Sequence, residues 1–265
     1  MLMRPTHRYQ PHAALWAGTS AWSPADLFTG GVTGAWYQVS DLTSLFEERT
    51  GGGTTPASVD GVVGTIRDKS GNTNHLVAPS DAARGILRQS GAEYYIELDA
   101  TDDTYSCASA LTWAYPRFVG VTTQKAANAT QIMVIGFYAS AISYSGMSNS
   151  SSATGIVFGS NRNPSSGVVG TTGTVGSVPI NTTKVITSVA NTNLITFQSN
   201  ADTEETNTAT FDPTLLSGTP GIEICRVPAY GGRFYGGIFC MNKSMSADDR
   251  NSARTWLGNL GGLTL

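Results

Sequence analysis

The 265-residue chain carries 16 Lys and Arg against 19 Asp and Glu, a formal net charge of −3, and only 13% of its residues are charged. Roughly a quarter is usual for a soluble domain, so a basic surface tracking phosphates is excluded and no nucleic-acid partner is expected. At 40% hydrophobic residues the chain is too apolar to stay disordered, yet no apolar run approaches about 18 residues, so no transmembrane helix or membrane insertion is expected.

Residues 1–33 are irregular. Arg4, His7, Arg8 and His12 alternate with Pro5 and Pro11, while Leu15, Trp16, Trp22, Leu27 and Phe28 supply large apolar groups without periodicity. Such a segment either packs on its own domain or orders on a partner. It is read as a docking arm, with Arg4, Arg8, Leu15, Trp16 and Trp22 as anchoring side chains. No apolar segment follows the N-terminal charges, so a secretory signal is not expected. Ser40 is placed to cap a short helix over 40–48, where Leu42, Leu45 and Phe46 share a face at i, i+3, i+4.

Helical periodicity then disappears until the C-terminus. Short β-type runs fall at 59–67, 93–98, 104–110, 118–124, 131–138, 155–158, 184–190, 194–198, 208–211, 222–227 and 233–241, separated by turn residues. Alternation is cleanest in 93–98, where Tyr94, Ile96 and Leu98 face one side. Asn191-Thr192-Asn193 reads as a hairpin turn. The Gly/Thr/Ser-rich segment 165–177 reads as loop or weak edge strand. Many short strands at this spacing predict an all-β sandwich. At the end, Ser246 and Asp249 form a capping box for a helix whose stripe Ala253, Trp256, Leu257 and Leu260 should lie on the sandwich, with Gly261-Gly262 stopping it. Cys107, Cys225 and Cys240 lack metal or redox spacing and read as buried thiols.

Several blocks carry a resemblance. Gly34-Ala35-Trp36-Tyr37 through Phe46, Asp68-Lys69-Ser70-Gly71-Asn72-Thr73-Asn74-His75, Tyr95-Ile96-Glu97-Leu98-Asp99-Ala100-Thr101-Asp102-Asp103 and the capped C-terminal helix with Trp256-Leu257 resemble, in order, blocks of virion proteins of tailed phages and gene transfer agents. The sequence departs from them at Gln38-Val39, in place of Asp-Pro, and at Ala100, in place of Gly after Asp99. The resemblance implies a concanavalin A-like (laminin-G-like) jelly-roll domain over 34–265, carried by a head spike or tail fibre. It implies a homo-oligomer docked to other virion proteins, assembled in the bacterial cytoplasm and located in the virion. It also implies attachment to host surface polysaccharide, with a purely structural decoration protein or a polysaccharide depolymerase as alternatives.

The candidate chemistry follows. Glu97 and Asp99 share a strand face, as paired carboxylates of glycoside hydrolases do, but the third carboxylate is a short Asp and the run belongs to the resemblance, so the chain is read as no enzyme. Asp99, Asp102 and Asp103 are candidate ligands for Ca²⁺, a hard ion that prefers several oxygens; no other cofactor is implied. Aromatic rings beside Ser, Thr and Asn suit sugars, and Trp113, Tyr115, Tyr144 and Tyr230 are the candidate glycan-binding residues. His75 reads as a hydrogen-bonding structural residue.

Overall fold

The computed structural model describes residues 22–50, 52–107, 111–112, 114–125, 134–140, 143–149, 156–163, 167–171, 175–177, 181–191, 194–200, 202–207, 219–225 and 231–265. The strands are β1 Thr33–Gln38, β2 Leu45–Phe46, β3 Thr65–Ile66, β4 Leu76–Val77, β5 Ile86–Ser90, β6 Glu93–Asp99, β7 Tyr105–Ser106, β8 Arg117–Lys125, β9 Val134–Ser140, β10 Ser143–Asn149, β11 Ile156–Asn163, β12 Gly167–Thr171, β13 Val175–Ser177, β14 Thr183–Ala190, β15 Ile195–Ser199, β16 Glu205–Asn207, β17 Gly221–Ile224 and β18 Gly231–Met241; the helix α1 is Ala247–Leu260. Every pairing among them is antiparallel. Among the described residues they form one sheet in the order β16-β15-β14-β8-β18-β6-β5, with β1 also on β18, and a second in the order β12-β11-β10-β9-β17-β7-β4-β3-β2, with β13 on β11. The expected all-β sandwich is the fold. The Gly/Thr/Ser-rich segment supplies β12 and β13 at the far edge of the second sheet, and the expected run 208–211 lies outside the described residues.

Ile96, Leu98, Val119, Val121, Phe137, Ile186, Phe197, Ile222, Ile224, Phe234 and Phe239 fill the space between the sheets, with Tyr94 packed against them. The inward alternation read from 93–98 is therefore realised. In β18 a register shift between Phe234 and Gly236 resets the phase, so that Phe234 and Phe239 face the core while Tyr235 and Ile238 face outward. The three cysteines are buried, and Cys107 Sγ accepts from the Ile222 amide at 3.0 Å.

A second apolar layer covers part of the outer face of the first sheet. The Ser246 side chain accepts from the Asp249 amide and Asp249 caps in return. Ala253, Leu257 and Leu260 of α1 then bury against Phe118, Val185, Val189, Tyr235 and Ile238, each leucine stabilising the fold by roughly 1.5–3 kcal/mol. Thr122 Oγ1 donates to the Leu257 carbonyl at 2.6 Å and ties the helix to β8. Residues 22–33, read as part of the arm, contribute to this layer. A 3₁₀ turn at Pro24–Phe28, capped by Ser23, buries Leu27, Val32 is buried beside it, and Trp22 and Phe28 pack alongside.

The helix expected over 40–48 is corrected to a single 3₁₀ turn, Leu42–Ser44, followed at once by β2. Asp41, not Ser40, caps it, accepting from the Thr43 amide. Leu45 and Phe46 pair with Ile66 and Thr65 instead of closing a second helical turn. Tertiary pairing overrides the local i, i+3, i+4 pattern because it both hydrogen-bonds and buries the same side chains.

Ala100 sits at φ +68°, the left-handed turn that the resemblance assigns to glycine. That conformation costs a non-glycine residue about 1–2 kcal/mol, partly offset by the larger unfolded-state entropy of glycine. Ala100→Gly is expected to stabilise the protein by about 0.5–1 kcal/mol, a rise of ~1–3 °C in a thermal melt. An unchanged or lowered midpoint would refute it.

Candidate functional site

Beyond the reach of α1 the outer face of the first sheet turns polar. The alternation that sends Tyr94, Ile96 and Leu98 inward sends Tyr95, Glu97 and Asp99 outward. Register then aligns neighbours: Ile86 lies opposite Glu97, Glu97 opposite Arg233, and Arg233 opposite Gln124. Residues directly opposite share a face, so one row crosses β5, β6, β18 and β8. It floors a cavity of about 350 Å³ whose walls add Arg88, Leu98, Asp99, Asp103, Asn181 and Gly232.

Each polar group is held by a second contact. Arg88 Nε donates to Glu97 Oε2 and its Nη1 to Asp60 Oδ1, both at 2.7 Å. The Arg233 guanidinium lies 4.3 Å from the centroid of the Tyr95 ring, which itself packs against Tyr235 at 5.5 Å. Gln124 Nε2 donates to the Asn181 carbonyl at 2.8 Å, and the Asn181 amide donates to the Lys125 carbonyl at 2.8 Å. The cavity thus offers carboxylate acceptors, guanidinium donors and amides in fixed positions. That set suits a ligand bearing many hydroxyls, because little side-chain freedom remains to be lost on binding.

At one end the Asp99, Asp102 and Asp103 carboxylates come together, with one oxygen from each within 4.8 Å of the others. Asp103 Oδ2 accepts from the Asp99 amide at 2.8 Å, and Asp99 Oδ1 from the amides of Thr101 and Asp102 at 2.7 and 3.4 Å. These acids order the loop around Ala100. As Ca²⁺ ligands they would supply one oxygen each, against the roughly six to eight that calcium takes.

Burial raises the Asp103 pKa to about 6; the Asp99 amide opposes the rise, and the charges of Asp99, Asp102 and Glu97 add to it. The unfolded value is about 3.9. Stability from this group is therefore full below about pH 4 and is lost as pH rises through 6. Asp103→Asn keeps an acceptor for the Asp99 amide without the charge, so its melting temperature should gain on that of the wild type between pH 4 and 7. Parallel pH profiles would refute this.

The other expected site residues fall elsewhere. Arg4, Arg8, Leu15, Trp16, Trp113 and Tyr230 lie outside the described residues, and of Tyr144 only the backbone, in β10, is described. Tyr115 is half-buried against Ala190 and Ile195, with the Arg117 guanidinium 3.9 Å from its ring centroid, and does not line the cavity. Tyr105 is structural: its hydroxyl donates to the Val63 carbonyl at 2.7 Å and accepts from the Gly85 amide at 2.9 Å. His75 Nδ1 accepts from the Asp68 amide at 3.0 Å, and burial lowers its pKa, so the neutral ring holds a turn as expected. Arg88, Arg233, Gln124 and Asn181 carry no local motif; only strand register brings them together.

Fold and pocket together define a two-sheet β-sandwich with a preformed polar cavity on an outer face. No protein-family model and no curated protein matches the chain. Solved structures do. A GH54 α-L-arabinofuranosidase soaked with a cyclic sulfate inhibitor matches with TM-score 0.61 and 12% identity, over 89% of this chain and 65% of that one. Domain 4 of AbnA, a GH43 extracellular arabinanase from Geobacillus stearothermophilus, in complex with arabinotriose, matches with TM-score 0.58 and 9% identity, over 84% and 98%. Botulinum neurotoxin type C, described as interacting with two ganglioside molecules, matches with TM-score 0.53 and 11% identity, over 89% and 53%. The chain thus spans just under two thirds of the arabinofuranosidase, and the likeness is one of fold, shared by carbohydrate-binding and glycoside hydrolase proteins. It corrects one expectation. Catalysis was excluded from the sequence, but the sandwich is one that glycoside hydrolases use, and its cavity holds several carboxylates, so the exclusion does not stand.

Proposed function

We propose that the chain is a virion surface protein, a head spike or fibre component of a tailed phage or gene transfer agent, that attaches to host cell-surface polysaccharide. The observation that carries the binding half is the row Glu97, Arg233 and Gln124 beneath a cavity walled by Arg88, Asp99, Asp103 and Asn181. The fold, common to carbohydrate-binding sandwiches, supports it. The virion half is supported by the four ordered sequence blocks. In this reading the leading segment, with Arg4, Arg8, Leu15 and Trp16, docks onto other virion proteins, and the subunits associate with one another.

The test is a glycan array that includes polysaccharides of the host surface, run with the wild type, Arg233→Ala and Glu97→Gln. Hydrogen bonds to charged groups contribute about 1.5–3 kcal/mol, so each substitution should weaken binding about tenfold or more, with the melting temperature nearly unchanged because the Arg88–Glu97 pair and the Arg233 guanidinium over Tyr95 are both partly exposed. Sizing the polysaccharide after incubation reads whether cleavage accompanies binding. Particles lacking the protein that adsorb normally but break easily would overturn attachment in favour of a decoration role.

A further inference from the structure

A second concave feature lies on α1, apart from the cavity just described. Trp22, Asn251, Ser252, Thr255, Trp256 and Asn259 line a shallow groove of about 310 Å³. On the helix these positions fall at i, i+1, i+4, i+5 and i+8, one continuous stripe. Both indoles are only partly buried, and Asn251, Thr255 and Asn259 are exposed. The Trp256 ring is held edge-on by Trp36 at 5.5 Å and 84°, and Trp36 is itself 7% exposed. The Trp22 indole N–H finds no acceptor among the described residues. Among the described residues no charged side chain lines the groove; the Arg254 guanidinium beside it donates to Asn251 Oδ1 at 3.5 Å and to the Asn200 carbonyl.

We infer that this groove is a second saccharide-binding site, selective for uncharged sugar chains. A pyranose or furanose ring offers a C–H face to an indole and hydroxyls at its rim, and here two indoles are flanked by two amides and two hydroxyls able both to donate and to accept. Its uncharged lining separates it from the cavity at the end of the sheet, with its guanidiniums and carboxylates. An acidic chain would be desolvated here with no cation in the lining to pair it, since the neighbouring Arg254 already donates to Asn251 Oδ1 and the Asn200 carbonyl, and that costs affinity. The inference rests on the carbohydrate reading above only for the class of ligand.

The test is an NMR titration of the full-length protein, labelled at the tryptophan indole nitrogens, with neutral arabino-, xylo-, malto- and cello-oligosaccharides and with oligogalacturonate as the acidic control. The Trp22 and Trp256 indole signals should move with at least one neutral series and not with oligogalacturonate. The exposed double substitution Asn251→Ala/Asn259→Ala, which leaves the apolar layer untouched, should weaken that response about tenfold, as loss of two hydrogen bonds predicts. Arg233→Ala should leave it unchanged, so loss of binding at the sheet cavity and loss at this groove are read separately. Indole signals silent to every saccharide, or equally responsive in the double variant, would overturn the inference. Signals that move only with protein concentration would overturn it too, making the groove a contact between copies of the chain.

Discussion

Asp68→Ala is expected to destabilise the protein by about 4 kcal/mol, a large share of the roughly 5–15 kcal/mol that holds a typical domain together. Asp68 is 9% exposed and its two oxygens serve four donors. Oδ1 accepts from the Trp36 amide at 3.2 Å and the Ser70 amide at 2.8 Å, while Oδ2 accepts from Ser70 Oγ at 2.8 Å and the Asn74 amide at 3.0 Å. The Trp36 and Asn74 amides are buried, so truncation strands both at about 1–3 kcal/mol each, and the charge assistance of the remaining bonds is lost as well. Asp68→Asn can serve only part of this set, because its NH₂ faces donors; a loss of about 1–2 kcal/mol is expected. Urea denaturation with an unchanged slope and lowered midpoints in that order would bear this out. An alanine variant within 1 kcal/mol of wild type would show that water serves the stranded amides.

The same network explains which parts of the molecule were legible in the sequence. Asp68 reaches Trp36, Tyr37 Oη donates to the Asn74 carbonyl, and Asn72 and Asn74 Nδ2 donate to the Gly34 carbonyl at 3.1 and 2.6 Å. Two of the blocks that carry the resemblance thus close the outer edge of β1 on each other, and a third, around Ala100, folds its own loop with its own carboxylates. Such contacts demand particular residues at particular spacings, so they leave motifs. The capped helix and the strands of clean alternation were legible for the same local reason. The cavity floor was not. Ile86, Glu97, Arg233 and Gln124 meet only through the pairing of β5, β6, β18 and β8, and no window of sequence contains two strands so distant in the chain as β8 and β18. Tyr115 makes the same point, because its packing on Ala190 and Ile195 depends on strands that local sequence does not connect. The motifs therefore report the scaffold, and the recognition surfaces are set by register.

Gly34→Ala is the substitution that tests the scaffold most severely. Gly34 stands at φ +135° opposite Cys240 in the β1–β18 pair, and a Cβ there would overlap the Phe239 carbonyl oxygen and crowd the Cys240 Cα at 3.1 Å. Neither neighbour can yield, because both belong to the backbone of the central strand, which also pairs with β8 and β6. Relief requires β1 to move off β18. That shift withdraws Ala35 and Tyr37 from the inter-sheet core and Trp36 from the layer beneath α1, and it carries away the carbonyl on which Asn72 and Asn74 converge. Overpacking costs about 1–3 kcal/mol or more and the backbone conformation about 1–2 kcal/mol, so a loss of about 3–5 kcal/mol is expected. Gly31 separates the two contributions. Its φ is +84° but a Cβ there meets nothing within 4 Å, so Gly31→Ala should lose only about 1 kcal/mol. Similar losses for both in chemical denaturation would mean that backbone conformation, and not the close approach of β1 to β18, makes glycine necessary at position 34.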